Sequence, residues 1–387
     1  MKVLIIAPRF PFPLEKGDKL RLYHQIRNLH ESMDLVLTAV SDVKVEQGHY
    51  DELSKFVRKI YVFPINKWGI IFESFGRFFS GMPFQVQYFY RKRIHNSIRS
   101  VLSEEKPDIV YCQLARSAEY ARDFSGKKVL DYMDAFSYGM GKRIEGSNFL
   151  LKRFYKLEQK RMERYEKEIF KDFNAHTIIS DQDKFRIFQG KNNAIQIIPN
   201  GVDTGYFTPQ NIKKKYDICF VGNMGYRPNV DAAEFLCTRI VPQLLKIKPD
   251  LKVLIAGVRP HPRIISLQNE FITVSGWMED IREAYGSSTV FVAPIFTGIG
   301  QQNKVLEAMS MEMPCVCTTS VNLPIGGQHG KEVLVAEDTD DFVRHISFLF
   351  NDPAAAREIG ENSRIFVQKQ YSWTKQVEIL KLIFNTL

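Results

Sequence analysis

PIFTGIGQQNKVLEAMSMEMPCVCT, residues Pro294 to Thr318, decides the fold. The apolar run Ser288–Ile295 leads into it and predicts a strand buried on both faces of a parallel sheet. Gly298-Ile299-Gly300 predicts the turn that ends the strand. Val305, Leu306, Ala308, Met309 and Met311 then recur at helical spacing. Two glycines let the backbone come close to a ligand, and a helix start offers unpaired N–H groups at a positive dipole end. Lys304 and Glu307, three apart, share one helical face near that end. A cation there suits a diphosphate, and a carboxylate one turn further in suits the vicinal hydroxyls of a sugar, so the pair points to a nucleotide-sugar site. The same spacing serves an ordinary solvated ion pair, and strand–turn–helix joints occur in every doubly wound fold. Spacing alone leaves both readings open.

The residue string separates them. GIGQQNKVLEAM followed by PCVCT resembles the donor-site segment of the family-four retaining glycosyltransferases. That resemblance implies an α/β chain of GT-B architecture, with two Rossmann-like doubly wound domains facing a cleft. The family carries two Glu residues eight apart. Glu307 matches the second, whereas Ile299 holds the position of the first and Thr297 precedes the glycines, so the first Glu is absent. The QNKVLEAM wording resembles a subgroup of bacterial sugar transferases in which it is also replaced. The departure bears on the contact to the donor sugar's own hydroxyls.

At 387 residues the chain has the length of two domains of roughly 100–200 residues each. Its 44% hydrophobic and 25% charged residues are those of a globular protein. No run of 18 apolar residues exists, so nothing is expected to span a bilayer. MKVLIIAPRF reads as a first strand and lacks the long apolar region and cleavage site of a signal peptide. Cys112, Cys219, Cys237, Cys315 and Cys317 lie mostly in apolar runs without a CxxC pair, and read as reduced core thiols of a cytoplasmic protein. The net charge of +9 lies entirely in the first half: residues 1–189 hold 33 Lys+Arg against 24 Asp+Glu, and residues 190–387 hold 20 of each. A basic half attracts an anionic membrane surface, a phosphate-bearing acceptor or nucleic acid, or simply reflects a basic isoelectric point. The excess is spread and no nucleic-acid motif appears, so no nucleic-acid partner is expected.

Strands are predicted at Lys2–Ala7, Asp34–Ser41, Lys59–Pro64, Asp108–Gln113, Val129–Asp134 and His176–Ser180, with helical patterns between them. No G-x-G-x-x-G follows the first strand, which argues against a dinucleotide oxidoreductase. A proline-rich loop ends instead at Gly17, where a helix carrying Leu20, Tyr23, Ile26 and Leu29 begins. This loop resembles the family's glycine loop, which implies a donor-facing Gly17 with Asp18 and Arg21 beside it, and Arg21 is a candidate acceptor-side residue. Trp68–Tyr90 is rich in Phe and runs into Arg91-Lys92-Arg93. It reads either as an element touching a membrane or lipid-linked acceptor, or as an aromatic helix packed on the core. Many family members place a donor-contacting histidine at the end of the Asp108–Gln113 strand; Tyr111, Cys112 and Gln113 stand there. Asp134, closing the next strand, is a candidate acceptor-side carboxylate or a helix cap. Residues 149–172 predict one helix with Leu150, Phe154, Leu157, Met162, Tyr165 and Ile169 buried, and with Glu158–Arg161 on a solvated face. Asp181-Gln-Asp183 reads as a helix start, and no metal constellation stands out.

PNGVD, residues 199–203, resembles the family's hinge, and the pattern restarts with the strand Tyr216–Gly222. The resemblance implies domains at 1–205 and 206–368, and a C-terminal helix over 369–387 that returns to the first. It implies Arg227 on the diphosphate with Lys304; an arginine's planar fork holds phosphate oxygens in pairs. It further implies Glu307 on the ribose hydroxyls and a base-receiving loop at Trp277-Met278. Gly222, Asn223, Gly298, Gly300, Gln302 and Asn303 complete the implied donor contacts. The implied activity is metal-free, retaining transfer of a sugar from a UDP-, GDP- or other NDP-sugar to a glycan or lipid-linked acceptor. The setting would be cell-surface polysaccharide or glycoconjugate synthesis, in the cytoplasm or peripherally on the plasma membrane. An epimerase of the same architecture and an inactive nucleotide-sugar binder are the alternatives.

Overall fold

The computed structural model describes residues 1–14, 16–65, 81–144, 147–190, 194–297 and 300–387. Gly298, Ile299 and most of the aromatic Trp68–Tyr90 segment lie outside the described residues. The chain forms two compact units, Met1–Pro199 with Gln376–Leu387, and Asn200–Lys375.

The first unit is built on seven parallel strands: β1 (Lys2–Ala7), β2 (Asp34–Ser41), β3 (Lys59–Pro64), β4 (Ile109–Gln113), β5 (Lys127–Asp131), β6 (Ala175–Ile178) and β7 (Ile195–Ile197). Their order is β3-β2-β1-β4-β5-β6-β7. The near-continuous apolar run of β1 is explained by burial on both faces. Leu4 and Ile6 pack on one side with Ile98 and Tyr132. Val3, Ile5 and Ala7 pack on the other with Leu22 and Ile26 of α1 (Gly17–Leu29) and with Val377, Leu380 and Phe384 from the C-terminal segment. The last helix therefore supplies core to the first sheet.

The second unit repeats the plan with β8 (Tyr216–Val221), β9 (Val253–Ala256), β10 (Ile272–Gly276), β11 (Ser288–Ala293), β12 (Cys315–Thr318) and β13 (Leu334–Ala336), in the order β10-β9-β8-β11-β12-β13. In each sheet the order reverses beside the first strand, between β1 and β4 and between β8 and β11. Ligands of open α/β sheets bind outside the carboxyl ends of the strands at such a switch. β11 stops at Ala293, short of the expected Ile295, because Pro294 has no N–H to donate to the ladder. The Ile295 carbonyl then accepts from the hydroxyls of Thr318, at 2.6 Å, and Ser320, at 2.9 Å. At Gly257 the backbone is left-handed (φ +135°), and an added Cβ would lie 1.8 Å from the Gly222 carbonyl oxygen. Only glycine lets the ends of β8 and β9 approach so closely. All five cysteines are buried and unbridged.

Two expectations change. The first concerns the helices of the first unit, where α2 (Phe136–Ile144) precedes α3 (Phe149–Ile169). Met162, Tyr165 and Ile169 of α3 are buried as expected, but Leu150 is 77% exposed and Leu157 39%, and Glu158 is buried. The Glu158 carboxylate accepts from the backbone N–H of Phe84 at 2.7 Å, and this contact turns the helix face. The second is the unit boundary, which falls at Pro199/Asn200 and Lys375/Gln376. The 199–203 turn is held within the second unit by Val202 N–H donating to Tyr371 O at 2.7 Å and by the Val202–Ser372 bridge.

Candidate functional site

In the second unit the carboxyl ends of β8 and β11 carry the residues singled out above. The helix α5 (Asn303–Ser310) follows β11, and its N-cap Gln302 makes no side-chain cap. Its first N–H groups are therefore left without a capping side chain. Gly300 is left-handed (φ +74°).

Lys304 lies in the first turn of α5. Its Nζ donates to Asn229 Oδ1 at 2.5 Å and stands 5.1 Å from the centre of the fully buried Phe220 ring. A Cβ at Gly222 would lie 3.0 Å from that Nζ and 2.9 Å from Asn229 Nδ2, so the missing side chain makes room for both. Among the described residues no carboxylate pairs with Lys304. Burial among these groups lowers its pKa to about 8, against a smaller opposite pull from Glu307. A desolvated ammonium without a carboxylate partner at an uncapped helix start has the charge and the free donors that an anion requires.

Glu307 lies one turn on. Tyr285 OH donates to its Oε2 at 2.8 Å, and Oε1 is left without a protein partner among the described residues. Burial raises its pKa. Gln302 Nε2 donates to Gly300 O at 3.4 Å. Asn303 Oδ1 accepts from Asn200 Nδ2 at 3.5 Å, and Gln301 holds the Asn200 backbone from both sides at 2.9 Å each. The side-chain amides of Gln301 and Asn303 thus hold Asn200. Asn223 forms a turn, its Oδ1 accepting from Gly225 N–H at 3.0 Å. Trp277, after the left-handed Gly276 (φ +68°), is 69% exposed at the end of β10, while Met278 packs on the core.

Arg227 departs from the expected pairing. It opens α4 (Arg227–Phe235), is 82% exposed, and its Nε lies 3.6 Å from Asp231 one turn on. The helical i,i+4 carboxylate captures the guanidinium, and no contact joins it to Lys304.

In the first unit Arg21 is also displaced from its expected role. It is fully buried, with Nε 2.7 Å and Nη2 3.3 Å from the equally buried Asp131 carboxylate. Tyr111 OH and Thr177 Oγ1 complete that carboxylate at 3.1 and 2.9 Å. Arg21 is a core ion pair out of reach of an acceptor. Gln113 is likewise used internally, donating to Asp18 O at 2.6 Å. Gly17 opens α1, and a Cβ there would lie 3.6 Å from the Met133 side chain. Asp134 is half-buried, and among the described residues its side chain makes no hydrogen bond. Burial, with Asp183 adding, raises its pKa to about 7. The first turn of the helix after β6 is capped by Ser180, whose Oγ accepts from Asp183 N–H at 3.1 Å. Leu114 (φ +67°) and Met133 (φ +60°) hold left-handed backbone at the ends of β4 and β5. Strained non-glycine residues concentrate at functional edges.

Residues 215–352 match the sequence family described as glycosyl transferases group 1. Over nearly its full length the chain is 23% identical to an uncharacterised 44.6 kDa protein in the cps region of Klebsiella pneumoniae, covering 97% of each chain. Sucrose-phosphate synthase from Thermosynechococcus elongatus superposes with a TM-score of 0.71 at 16% identity, over 100% of this chain and 98% of that one. HepE of Anabaena in complex with UDP-glucose superposes at 0.66 and 11% identity, over 100% of both. The fold is GT-B: two Rossmann-like units on parallel sheets. Among the described residues no helix is long and apolar enough to cross a membrane, and no group of three or more His, Cys, Asp or Glu is placed to hold a metal.

Tyr285, Asn229 and Gln301 carry no signal in the sequence as site residues. Each acts through a partner 22 to 101 residues away, and only the fold brings the pairs together.

Proposed function

We propose that this glycosyltransferase moves a sugar from a nucleoside diphosphate sugar to an acceptor with retention of anomeric configuration. The second unit binds the donor and the first binds the acceptor. The observation that carries this reading is the Lys304 ammonium, desolvated by Phe220 and Gly222, held by Asn229 and unpaired at the start of α5.

Lys304 and the α5 amides bind the diphosphate and stabilise the negative charge that grows on it as the glycosidic bond breaks. Arg227, released from Asp231, adds a second cation from the start of α4. Glu307 Oε1 binds the ribose hydroxyls, its other oxygen held by Tyr285. Exposed Trp277 receives the base. Asp134 binds the acceptor hydroxyl. The cationic groups neutralise the diphosphate without a metal. The HepE complex with UDP-glucose on the same fold supports a nucleotide-sugar donor. The relative from a cps region supports a place in polysaccharide synthesis. The basic first half supports peripheral attachment at an anionic membrane face.

A panel of UDP-, GDP- and dTDP-sugars tests this by thermal stabilisation, followed by NMR of the transferred anomer. One donor should raise the melting temperature and yield product of unchanged anomeric configuration. Stabilisation by no donor would overturn the donor site; epimerised donor without acceptor, or binding without turnover, would replace transfer by the alternatives.

A further inference from the structure

A cavity of about 400 Å³ in the first unit is lined by Arg9, Arg116, Arg143, Tyr88, Phe89 and Phe154, among others. Its volume lies in the range of small-ligand sites, and its lining mixes aromatic rings with a few polar groups as such sites do. The charges in it are unevenly satisfied. Of the lining carboxylates, Asp42 accepts from Tyr88 OH at 3.1 Å, and Glu158 accepts from Phe84 N–H at 2.7 Å and lies 3.5 Å from Arg161. The guanidinium groups are less well supplied. Arg9 and Arg116 converge on one oxygen of Asp18, at 3.0 and 3.8 Å. Both also lean on the Phe89 ring, at 5.4 and 4.8 Å from its centre.

Arg116 follows the left-handed Leu114 at the end of β4 and is only 8% exposed. Its buried Nε has no hydrogen-bond partner. Burial and the neighbouring Arg9 lower its pKa to about 10. A buried guanidinium that shares one distant carboxylate is costly to keep charged, and an anion supplied from the cavity would relieve it. Arg143, exposed on α2, adds a third cation to the same lining.

We infer that this cavity binds the oxyanion of an acidic sugar acceptor, a phosphate or a carboxylate, on Arg116 and Arg143 with the sugar ring against its aromatic side chains. The inference rests on the first unit holding the acceptor. It narrows the acceptor from glycans in general to those that carry a negative charge.

Isothermal titration of the full-length protein tests it with three probes: glucose 1-phosphate, glucuronate and neutral methyl glucoside. At least one anionic probe should bind about tenfold or more tighter than the neutral one, and weaken as salt is raised. Arg116→Gln and Arg143→Ala should each reduce that preference severalfold, the melting temperature reporting whether each variant folds. Arg143 is at the surface, so its variant decides the matter if Arg116→Gln does not fold. Preference for phosphate over glucuronate, or the reverse, identifies the acidic group. Equal binding of neutral and anionic probes, no binding of either anion, or unchanged affinity in Arg143→Ala and folded Arg116→Gln would overturn the inference. Lys304→Ala separates it from the donor site. If glucose 1-phosphate binding disappears in that variant, the probe sits on the second unit and the inference fails while glycosyl transfer stands. If acidic probes bind through Arg116 and Arg143 but no nucleotide-sugar binds the wild type, the anion site stands and the transferase reading fails.

Discussion

Replacing Lys304 by methionine should make the protein more stable and nearly inactive at once. In the folded chain the ammonium is lowered from 10.5 to about 8, chiefly by burial. That drop corresponds to about 3 kcal/mol of unfavourable charge burial below pH 8. Methionine removes this term and packs its thioether against Phe220. Asn229 Oδ1 loses its donor, which takes back about 1 kcal/mol. The free K304M protein should therefore gain about 1–2 kcal/mol at pH 7. The sign follows from linkage: between about 8 and 10.5 the unfolded chain binds the proton and the folded one does not. The wild-type deficit is thus full below pH 8 and gone above 10.5, so the advantage of K304M should shrink across that window and turn into a deficit of about 1 kcal/mol above it, where only the lost Asn229 hydrogen bond remains. Urea unfolding of both proteins without nucleotide, from pH 7 to 11, measures this directly. Transfer should fall by roughly 10²–10³-fold, the range for removing one charge-stabilising group. A K304M protein that is less stable than wild type at pH 7, or that keeps near-wild-type turnover, would refute the placement of an unpaired, desolvated ammonium in the diphosphate site.

Asp134, raised to about 7, should impose an acid limb: kcat/KM rises as pH passes through about 7 and its carboxylate ionises, and Asp134→Asn should flatten that limb while lowering the plateau. Arg21→Met should destabilise the first unit by about 3–5 kcal/mol in urea melts because it strands the buried Asp131 charge, and adding Asp131→Leu should recover most of the loss; a single variant as stable as wild type would contradict the core ion pair.

Much of the fold was legible in local pattern. β1 reads as doubly buried because its residues are apolar on both faces, and the paired Rossmann plan reads from strands alternating with helical periods. The α3 face was misread because Glu158 looks like a solvent residue until Phe84 N–H reaches it from 74 residues away. Leu150 and Leu157 looked like core for the same reason, since periodicity reports which residues share a face and not what covers it. Arg21 looked like a ligand contact and is a buried pair with Asp131, 110 residues on. Arg227, read as a diphosphate contact, lies 3.6 Å from Asp231 of its own helix, a neighbour that the diphosphate reading did not include.

The Gly300–Glu307 wording by itself determined the strand–turn–helix joint and the lysine and glutamate on one face, because helical spacing is a local property of the chain. Whether that lysine is an ordinary solvated cation or a desolvated one was decided only by tertiary structure. The Phe220 ring, the Asn229 carbonyl and the bare Cα of Gly222 come from a strand and helix some 80 residues earlier. The free energy of an ammonium depends on how much water those neighbours take from it, and no spacing along the chain encodes that quantity.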